Sequence, residues 1–519
     1  MLFYSFLTII NIFSNYYDII KNIRKGEYMN ALTQLLEYQK EISNLEYTIN
    51  LLKWELKINA PKNSQPDLIK LITQYESKLF ELLISEKYGT LLTNVINDSN
   101  FDSIEEAERR YIQNLWKHYQ ENKKIPMEFY TKYSELKKRT NIAWREAKEQ
   151  NNYELFKPYL KEIIEMTKQY YGFLSSDTSN LYDIMLEHYE VGMTSAIIDP
   201  LFEQLKQRLL PLIPTKVYSA DTISSIPYSK QELLDCAEYL LNYIGFDRDR
   251  GALGIYPHGF TGTMGPNDVR IAFKHGNNPF DFCTTIIHEG GHGIFEQNIS
   301  PNLSRYGTNV CGFYGLHESQ SRFYENILGR NINFWIPIYE DIKKLLRLDI
   351  SLEEFVEILN TPALNLIRTQ ADELTYCMHI ILRYEIERDI FNGNIDIEDL
   401  PSIWNQKVKD YLHLTVDSPA NGILQDVHWS EGDFGYFPSY LLGTIYDGMF
   451  IQAIERDLGS IDELLKKGKI KEITNYFIHS IYQNGGAFSA LEIIKKMCQS
   501  DISIEPIAQY FEKKYSLKK

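Results

Sequence analysis

The chain has 519 residues, a mass of 60.8 kDa and a formal net charge of −16, because 54 lysines and arginines stand against 70 acidic residues. Hydrophobic residues make up 44%, enough for a large core, while 18 prolines and 28 glycines are too few for disorder or many β-turns. This charge argues against nucleic acid and anionic membranes as partners, and the length permits two or three average domains or one large α-helical body.

The first residues are apolar but show no complete targeting signal. The run over 1–10 is too short to span a bilayer, lacks a basic segment and has no small-residue cleavage site. We expect residues 1–28 to be an N-terminal apolar extension, either an extra leader or a misassigned start. The functional body is expected at 29–519.

The residues that follow predict a series of helices. Apolar residues recur at steps of three, four and seven over 32–56, which predicts the first helix. A second is expected over 67–96, and Ser103 with Glu106 is expected to form the capping box of a third. Further helices are predicted over 127–150, 153–175, 195–213 and 229–244.

The stretch 251–274 has a different character. Glycines and prolines punctuate two short runs, 253–256 and 269–273, which predict a small hairpin or meander. Such a ribbon either offers an edge strand to an extended peptide or merely connects helices.

The strongest chemical signal is the spacing His-Glu-x-x-His formed by His288, Glu289 and His292. On an α-helix the two imidazoles point the same way and can hold one metal ion, and Glu289 is placed to take a proton from water. Apolar neighbours predict a buried helix, and three glycines indicate a close approach to its backbone. An amphipathic helix with two surface histidines is the alternative.

Glu318 is the candidate third ligand. The chain between His292 and Glu318 is long enough to leave one helix, turn and return on another. Glu318 would complete a two-histidine, one-carboxylate site with an open position for water. The alternative is an i, i+4 ion pair with Arg322, but together with the first motif metal ligation is favoured.

The chain has an odd number of cysteines, five, and none has the spacing Cys-x-x-Cys. Disulfide frameworks and cysteine–zinc sites are therefore not expected. A reducing cytoplasm is the predicted compartment.

Together these motifs resemble the carboxypeptidase Taq family of metallocarboxypeptidases, over most of the chain from about Met29. The segments that carry the resemblance are His258-Gly259-Phe260, Asp268-Val269-Arg270, His288–His292, His317-Glu318-Ser319, Ile367–Asp372 and Gly422–Trp429. Gly259 replaces the proline of the family's His-Pro-Phe, and Ala272 replaces the threonine of its Asp-x-Arg-x-Thr.

The resemblance implies a mainly α fold, a single large saddle-like helical body with a deep central groove, as in neurolysin and angiotensin-converting enzyme. Residues 29–250 would wall the groove, 251–443 would carry the metal and substrate site with its small β-ribbon, and 444–519 would add C-terminal helices. It also implies a homodimer and one divalent metal per chain, with zinc expected and cobalt the alternative.

The predicted catalytic residues are Glu289, His428 and Tyr436. Glu289 is expected to act as the general base on metal-activated water and then to protonate the leaving amine. The family match suggests His428 and Tyr436 as donors to the tetrahedral oxyanion, although each could equally be a packing residue.

The predicted substrate-binding residues are Arg368, Arg270, His258 and Gln425. Either arginine could grip the terminal carboxylate, and Arg368 is favoured because its motif is intact. The alternative for Arg368 is a helical salt bridge with Asp372, four residues on.

The predicted function is a metal-dependent carboxypeptidase that releases single C-terminal amino acids, with broad specificity, from peptides with a free C-terminus. An endo-acting oligopeptidase or a dipeptidyl carboxypeptidase could use the same zinc site. From a different class, the chain could be a helical binding protein with a structural or vestigial metal site.

Overall fold

A computed structural model describes residues 28–175, 180–214, 227–307, 313–362 and 364–516. The extension predicted at 1–28, apart from its last residue, and Cys311 lie outside these ranges. Within them every helix is too short or too polar to cross a membrane.

The chain divides into two compact units. The first is made of the described residues within 1–56, 60–123 and 301–309, and the second of the described residues within 57–59, 124–300 and 310–519. The division of the body at 250 and 443 that the sequence suggested stays a prediction.

The protein is mainly helical, as predicted, with one small sheet. Before the sheet the helices are α1 (Tyr28–Ile58), α2 (Gln65–Leu83), α3 (Glu86–Ile96), α4 (Glu106–Asn122), α5 (Met127–Glu149), α6 (Tyr153–Leu174), α7 (Leu181–Tyr189), α8 (Ser195–Leu209) and α9 (Lys230–Ile244). After it come α10 (Pro279–Gln297), α11 (Pro301–Ser304), α12 (Tyr314–Arg322), α13 (Ile332–Trp335), α14 (Tyr339–Leu345), α15 (Leu352–Leu359), α16 (Glu373–Phe391), α17 (Leu400–Leu412), α18 (His428–Glu431), α19 (Phe437–Leu458), α20 (Ile461–Lys466), α21 (Ile470–Ser480), α22 (Ala490–Cys498) and α23 (Glu505–Tyr515).

Two helix predictions in the first unit are wrong. The helix expected over 67–96 is two helices, α2 and α3, because Ser85 interrupts it and caps α3 by accepting the backbone N–H of Tyr88 at 3.1 Å. Ser103 does not form a capping box, because its hydroxyl donates to the carbonyl of Asn100 at 2.6 Å and α4 begins without a side-chain cap.

Buried polar groups tie the distant segment 301–309 into the first unit. Glu108 is buried and accepts hydrogen bonds from Nη2 of Arg305 and from the hydroxyl of Tyr306, the latter at 2.5 Å. Nε2 of Gln39 donates to the carbonyl of Tyr306 at 2.6 Å. The segment therefore supplies partners that the helices of this unit would otherwise lack.

The sheet has the strand order β1 (Gly251–Ile255), β3 (Asp268–Phe273), β2 (Phe260–Gly265). The two predicted runs, 253–256 and 269–273, fall in β1 and β3, but the predicted hairpin or meander is wrong, because these strands pair in parallel. The antiparallel partner of β3 is β2, which the sequence did not indicate. The central strand β3 is the most buried, which leaves β1 and β2 as the edges.

The helix α10 is buried, and its glycines admit close neighbours, as predicted. A Cβ built on Gly290 would lie 2.4 Å from the side chain of Ile244 in α9. One built on Gly291 would lie 2.8 Å from the backbone oxygen of Gln320 in α12. The absence of a side chain at Gly290 thus lets α9 approach α10, and its absence at Gly291 lets α12 approach α10.

Candidate metal centre

The helix α10 starts sharply and carries the first two candidate ligands. Asn278 caps it, accepting the backbone N–H groups of Phe280 and Asp281 at 3.0 and 3.2 Å, and Pro279 occupies the first turn. His288 and His292 follow on one face, four residues apart, where the helix lies against α12.

The side chains of His288, His292 and Glu318 converge. Oε2 of Glu318 lies 3.3 Å from Nε2 of His292 and 3.9 Å from Nε2 of His288, and the three ligand atoms lie within 4.8 Å of one another. Ligands at about 2.0–2.2 Å from a tetrahedral metal lie roughly 3.3–3.6 Å apart. The donor set and its spacing therefore fit one divalent metal; we call these three residues the metal centre.

Electrostatics at the metal centre favour a cation. Burial opposes ionisation of Glu318, but His288 and His292 outweigh it and lower the pKa of its carboxyl to about 2. Burial likewise opposes charge on His288, yet Glu318 and Glu325 raise its pKa to about 9. Burial and the neighbouring His317 lower the pKa of His292 to about 4, which leaves a neutral imidazole.

Glu325 contacts the candidate ligand His288, and the sequence did not point to it. Its Oε2 lies 2.8 Å from Nδ1 of His288, so the nitrogen that faces Glu318 is Nε2. Such carboxylate–histidine contacts fix the ring orientation of metal ligands. Phe323–Leu328 form a π-helix, closed by a bond from the N–H of Gly329 to the carbonyl of Tyr324 at 2.8 Å. The only sequence signal was the seven-residue spacing from Glu318, two helical turns.

His292 is held by packing instead. The ring of His317 stacks on it, with centroids 4.6 Å apart and planes 17° from parallel. His317 in turn lies with Nε2 2.9 Å from Oε1 of Glu296. No hydrogen-bond partner reaches Nδ1 of His292 among the residues that the structure describes.

Glu289 lies beside the metal centre, buried between α10 and the edge strand β2. The hydroxyl of Thr261 lies 2.6 Å from Oε2 of Glu289 and 3.0 Å from its backbone oxygen. Burial raises the pKa of the Glu289 carboxyl, against the lowering effects of His288 and Thr261. A Cβ on Gly259 would lie 2.9 Å from Oε1 of Glu289, so the glycine leaves that oxygen room. Thr261 carried no motif signal.

The alternative for Glu318, an ion pair with Arg322, exists alongside its contacts to the imidazoles. Nη1 of Arg322 lies 3.9 Å from Oε1 of Glu318, the oxygen that does not face the histidines. The same guanidinium lies over the ring of Tyr376, 4.2 Å from its centroid. One carboxylate thus serves both contacts.

His428 and Tyr436 lie together on the segment that includes α18. Their rings are 5.6 Å apart, and Nε2 of His428 lies 3.2 Å from the hydroxyl of Tyr440. Burial and then Arg368 lower the pKa of His428 to about 3, so its imidazole is neutral. Burial and then Glu318 raise the pKa of Tyr436. Tyr436 is therefore within electrostatic reach of the metal centre.

A buried carboxylate, Glu387, organises this segment. It accepts hydrogen bonds from Nε1 of Trp429 at 2.6 Å, the backbone N–H of Gly435 at 2.9 Å and the hydroxyl of Tyr182 at 3.1 Å. Burial raises the pKa of Glu387 to about 7. No motif pointed to this residue.

Arg368 does not pair with Asp372. Arg368 lies in a 3₁₀ turn, where its Nε donates to Asp426 at 2.9 Å, while Asp372 caps α16. Oε1 of Gln425 accepts the backbone N–H of Arg368 at 2.8 Å, and Nε2 of Gln425 donates to the carbonyl of Leu366 at 3.0 Å. The alternative for Arg368, a helical salt bridge with Asp372, is therefore wrong, because the chain is not α-helical between the two residues.

The other two predicted substrate residues lie on or near the sheet. Arg270, on the central strand, forms a two-point pair with Asp268, with N–O distances of 2.8 and 2.9 Å. His258 is exposed and packs edge-on against Tyr256, 4.9 Å between centroids. Burial and then Lys57 lower the pKa of His258.

Comparisons with known proteins agree with this geometry. A family model described as carboxypeptidase Taq (M32) metallopeptidase matches residues 34–515. The chain is 37% identical over 498 residues to carboxypeptidase 1 of Bacillus subtilis, covering 93% of this chain and 97% of that relative. It is 30% identical to thermostable carboxypeptidase 1 of Thermus thermophilus, covering 94% and 98% of the two chains.

Solved structures show the same fold. The crystal structure of the M32 carboxypeptidase from Deinococcus radiodurans superposes with a TM-score of 0.88 at 25% identity, over 94% of this chain and 99% of that one. The Pyrococcus furiosus carboxypeptidase gives 0.87 at 28% identity, over 93% and 99%.

Proposed function

The chain belongs to the carboxypeptidase Taq (M32) family of metallopeptidases, and from this premise we propose that it releases single C-terminal residues from peptides with broad specificity. The proposed cofactor is one divalent metal per chain, zinc or alternatively cobalt, held by His288, His292 and Glu318. The convergence of their three ligand atoms within 4.8 Å, with Glu289 beside them, is the observation that carries the proposal.

Glu289 is the proposed general base. When bound, a divalent metal would polarise the peptide carbonyl and lower the pKa of water. Glu289 would accept the proton of the attacking water and pass it to the leaving amine. The Thr261 hydroxyl near Oε2 supports this role, since it holds the carboxylate while the space at Gly259 leaves Oε1 free to reach water.

His428 and Tyr436 are the proposed donors to the tetrahedral oxyanion. Both are neutral at pH 7 and can donate a hydrogen bond without adding a charge that would repel the metal. Their place on the segment tied to Glu387 supports a preorganised position.

Arg368 is the proposed grip on the terminal carboxylate, and Gln425 holds its backbone. Arg368 is favoured over Arg270 because its sequence motif is intact, although each arginine already contacts a carboxylate, Arg368 that of Asp426 and Arg270 that of Asp268. Arg270 and His258 remain candidates for contacts with the rest of the peptide.

We also propose a homodimer in the cytoplasm with peptides rather than nucleic acid as partners. The family resemblance supports the dimer. The net charge of −16 argues against nucleic acid, and the described cysteines, which form no disulfide, support a reducing compartment. A monomer mass from small-angle scattering in solution would contradict the proposed homodimer.

The proposed function is tested by incubating the zinc-loaded full chain with an unblocked peptide and following product masses over time. We expect a ladder of products that lose one C-terminal residue at a time, abolished by a chelator and restored by zinc or cobalt. The same peptide with a C-terminal amide is the control. Internal cuts, or loss of two residues at a time, would contradict single-residue release.

A further inference from the structure

Asp426 is shared by two arginines deep in the second unit. Its Oδ1 accepts from Nε of Arg368 at 2.9 Å, and its Oδ2 accepts from Nε of Arg383 at 2.7 Å. Nη2 of Arg383 lies 2.6 Å from the same Oδ2. We call these three residues the arginine cluster.

The arginine cluster carries two positive charges and one negative charge. The neighbouring imidazoles of His379 and His428 are neutral, because burial and the arginines lower the pKa of each to about 3. Lys148 flanks the cluster with a further positive charge, donating to the carbonyl of Gln425 at 2.8 Å. Glu387, one turn along α16 from Arg383, is only partly ionised near pH 7.

A buried excess of positive charge costs several kcal/mol unless an anion completes it. Nothing in the chain supplies that anion among the charged groups just named. The arginine cluster is therefore suited to receive one more negative charge, such as a carboxylate.

The two arginines cannot play the same part. Arg368 keeps 8% of its side chain exposed, and its Nη1 donates to the hydroxyl of Tyr376 at 2.7 Å. The side chain of Arg383 is 0% exposed and its guanidinium lies over the ring of Trp404, 4.6 Å from the centroid. A ligand could touch Arg368, whereas Arg383 can act on it only through Asp426.

We propose that Arg383 is a positioning residue for the terminal carboxylate of the peptide. By binding Oδ2 of Asp426, Arg383 fixes the carboxylate whose other oxygen, Oδ1, orients Arg368. The positive charge of Arg383 also offsets the negative charge of Asp426, so Asp426 does not cancel the charge of Arg368. This inference rests on the proposed carboxypeptidase function and adds a residue outside every motif of the sequence.

The test compares Arg383→Gln with Arg388→Gln in the zinc-loaded full chain. Arg388 lies on the same helix, but it pairs with Asp199 and Asp389. For Arg383→Gln we expect the KM of an N-blocked dipeptide with a free C-terminus to rise about tenfold, with little change in kcat. Inhibition by an N-acetyl amino acid should weaken by the same factor, and inhibition by its amide should not change. Arg388→Gln should match the parent.

A double variant, Arg383→Gln with Asp426→Asn, separates charge from packing. It leaves Arg368 as the one charge of the cluster, so its KM should fall back toward that of the parent. A KM no lower than that of Arg383→Gln would overturn the charge argument.

An unchanged KM in folded Arg383→Gln would overturn the inference. If that variant does not fold, Arg383→Lys decides, because an ammonium group keeps the charge but cannot reproduce the planar contact with Asp426. Its KM should rise about threefold for free-ended peptides alone, and a parental KM would overturn the inference. A parent that releases no C-terminal residue would instead overturn the proposed function, and the inference with it.

Discussion

The metal centre and the arginine cluster are both buried, but their charges are opposite. Around the metal centre the three carboxylates of Glu289, Glu318 and Glu325 surround two imidazoles, and they outnumber the two guanidinium groups nearby, those of Arg322 and Arg330. In the arginine cluster two guanidinium groups share one carboxylate, which leaves one positive charge in excess. This difference is the one expected if, as proposed, a metal ion completes the first site and the carboxylate of a peptide terminus completes the second.

One residue pair lies between the two ends. The guanidinium of Arg322 lies 3.9 Å from Glu318 and over the ring of Tyr376, whose hydroxyl accepts from Arg368. The two sites therefore have Arg322 and Tyr376 as neighbours between them but share no member, and variants should separate catalysis and metal binding from carboxylate binding.

The largest effect is expected at the metal end. Glu289→Gln should lower kcat by about a thousandfold or more, because an amide cannot accept the proton of water at neutral pH. Metal content, measured by elemental analysis of the same sample, should stay at the parental level. Near-parental turnover with metal bound would show that Glu289 is not the base.

The next largest effect is expected at the opposite end. Arg368→Met should raise KM for free-ended peptides about a hundredfold, through loss of a charge-assisted contact to the carboxylate. Metal affinity should be unchanged. Arg270→Met is the matched control. A larger increase of KM in that variant would indicate that Arg270, on the sheet, binds the terminal carboxylate.

Glu325→Gln should give the reverse pattern, with metal affinity lowered about 10–100-fold and KM little changed. The lost contact is the one that orients His288. Competition with a zinc chelator of known affinity measures the change. Glu296→Gln is the control, since Glu296 contacts His317 rather than a proposed metal ligand. Equal affinities in the two variants would argue against the role of Glu325.

The smallest effect concerns stability and pH. The pKa of Glu387 is raised from 4.5 to about 7 in the folded protein, so in this range the folded chain holds a proton that the unfolded chain has released. This stabilisation is complete below pH 4.5 and is lost as pH rises through about 7. Between pH 5.5 and 6.5 the free energy of unfolding should fall by about 1 kcal/mol more in the parent than in Glu387→Gln. Equal slopes in denaturant titrations would contradict the raised pKa.

The two ends also differ in how far the sequence could predict them. His288 and His292 lie on one regular helix, so their spacing in the sequence determines that both side chains lie on the same face. The glycines of this helix indicated the close approach that brings Glu318 to them. The arginine cluster combines a 3₁₀ turn, a helix and a loop, so the motifs of Arg368 and Asp426 were visible but their contacts were not, and Arg383 lies in no motif. Thr261 and Glu325 were missed for the same reason, since their partners lie on other elements.

The misplaced elements have local physical causes. The helix pattern over 67–96 continues through the break, but the hydroxyl of Ser85 offers a new cap at that point. Ser103 bonds backward to Asn100 instead of forward to the next helix. The pairing of β1 with β3 depends on where the chain crosses, which alternating apolar residues do not record.

The first unit is built from segments that are far apart in the chain, so cutting the backbone between them should not separate the fragments. The segment 301–309 supplies Arg305 and Tyr306 to the buried carboxylate of Glu108. The first unit therefore contains segments that precede residue 124 and a segment that follows it. A protease nick at that point would not release a separate fragment. The two fragments should migrate as a single band on a native gel and should separate only in denaturant.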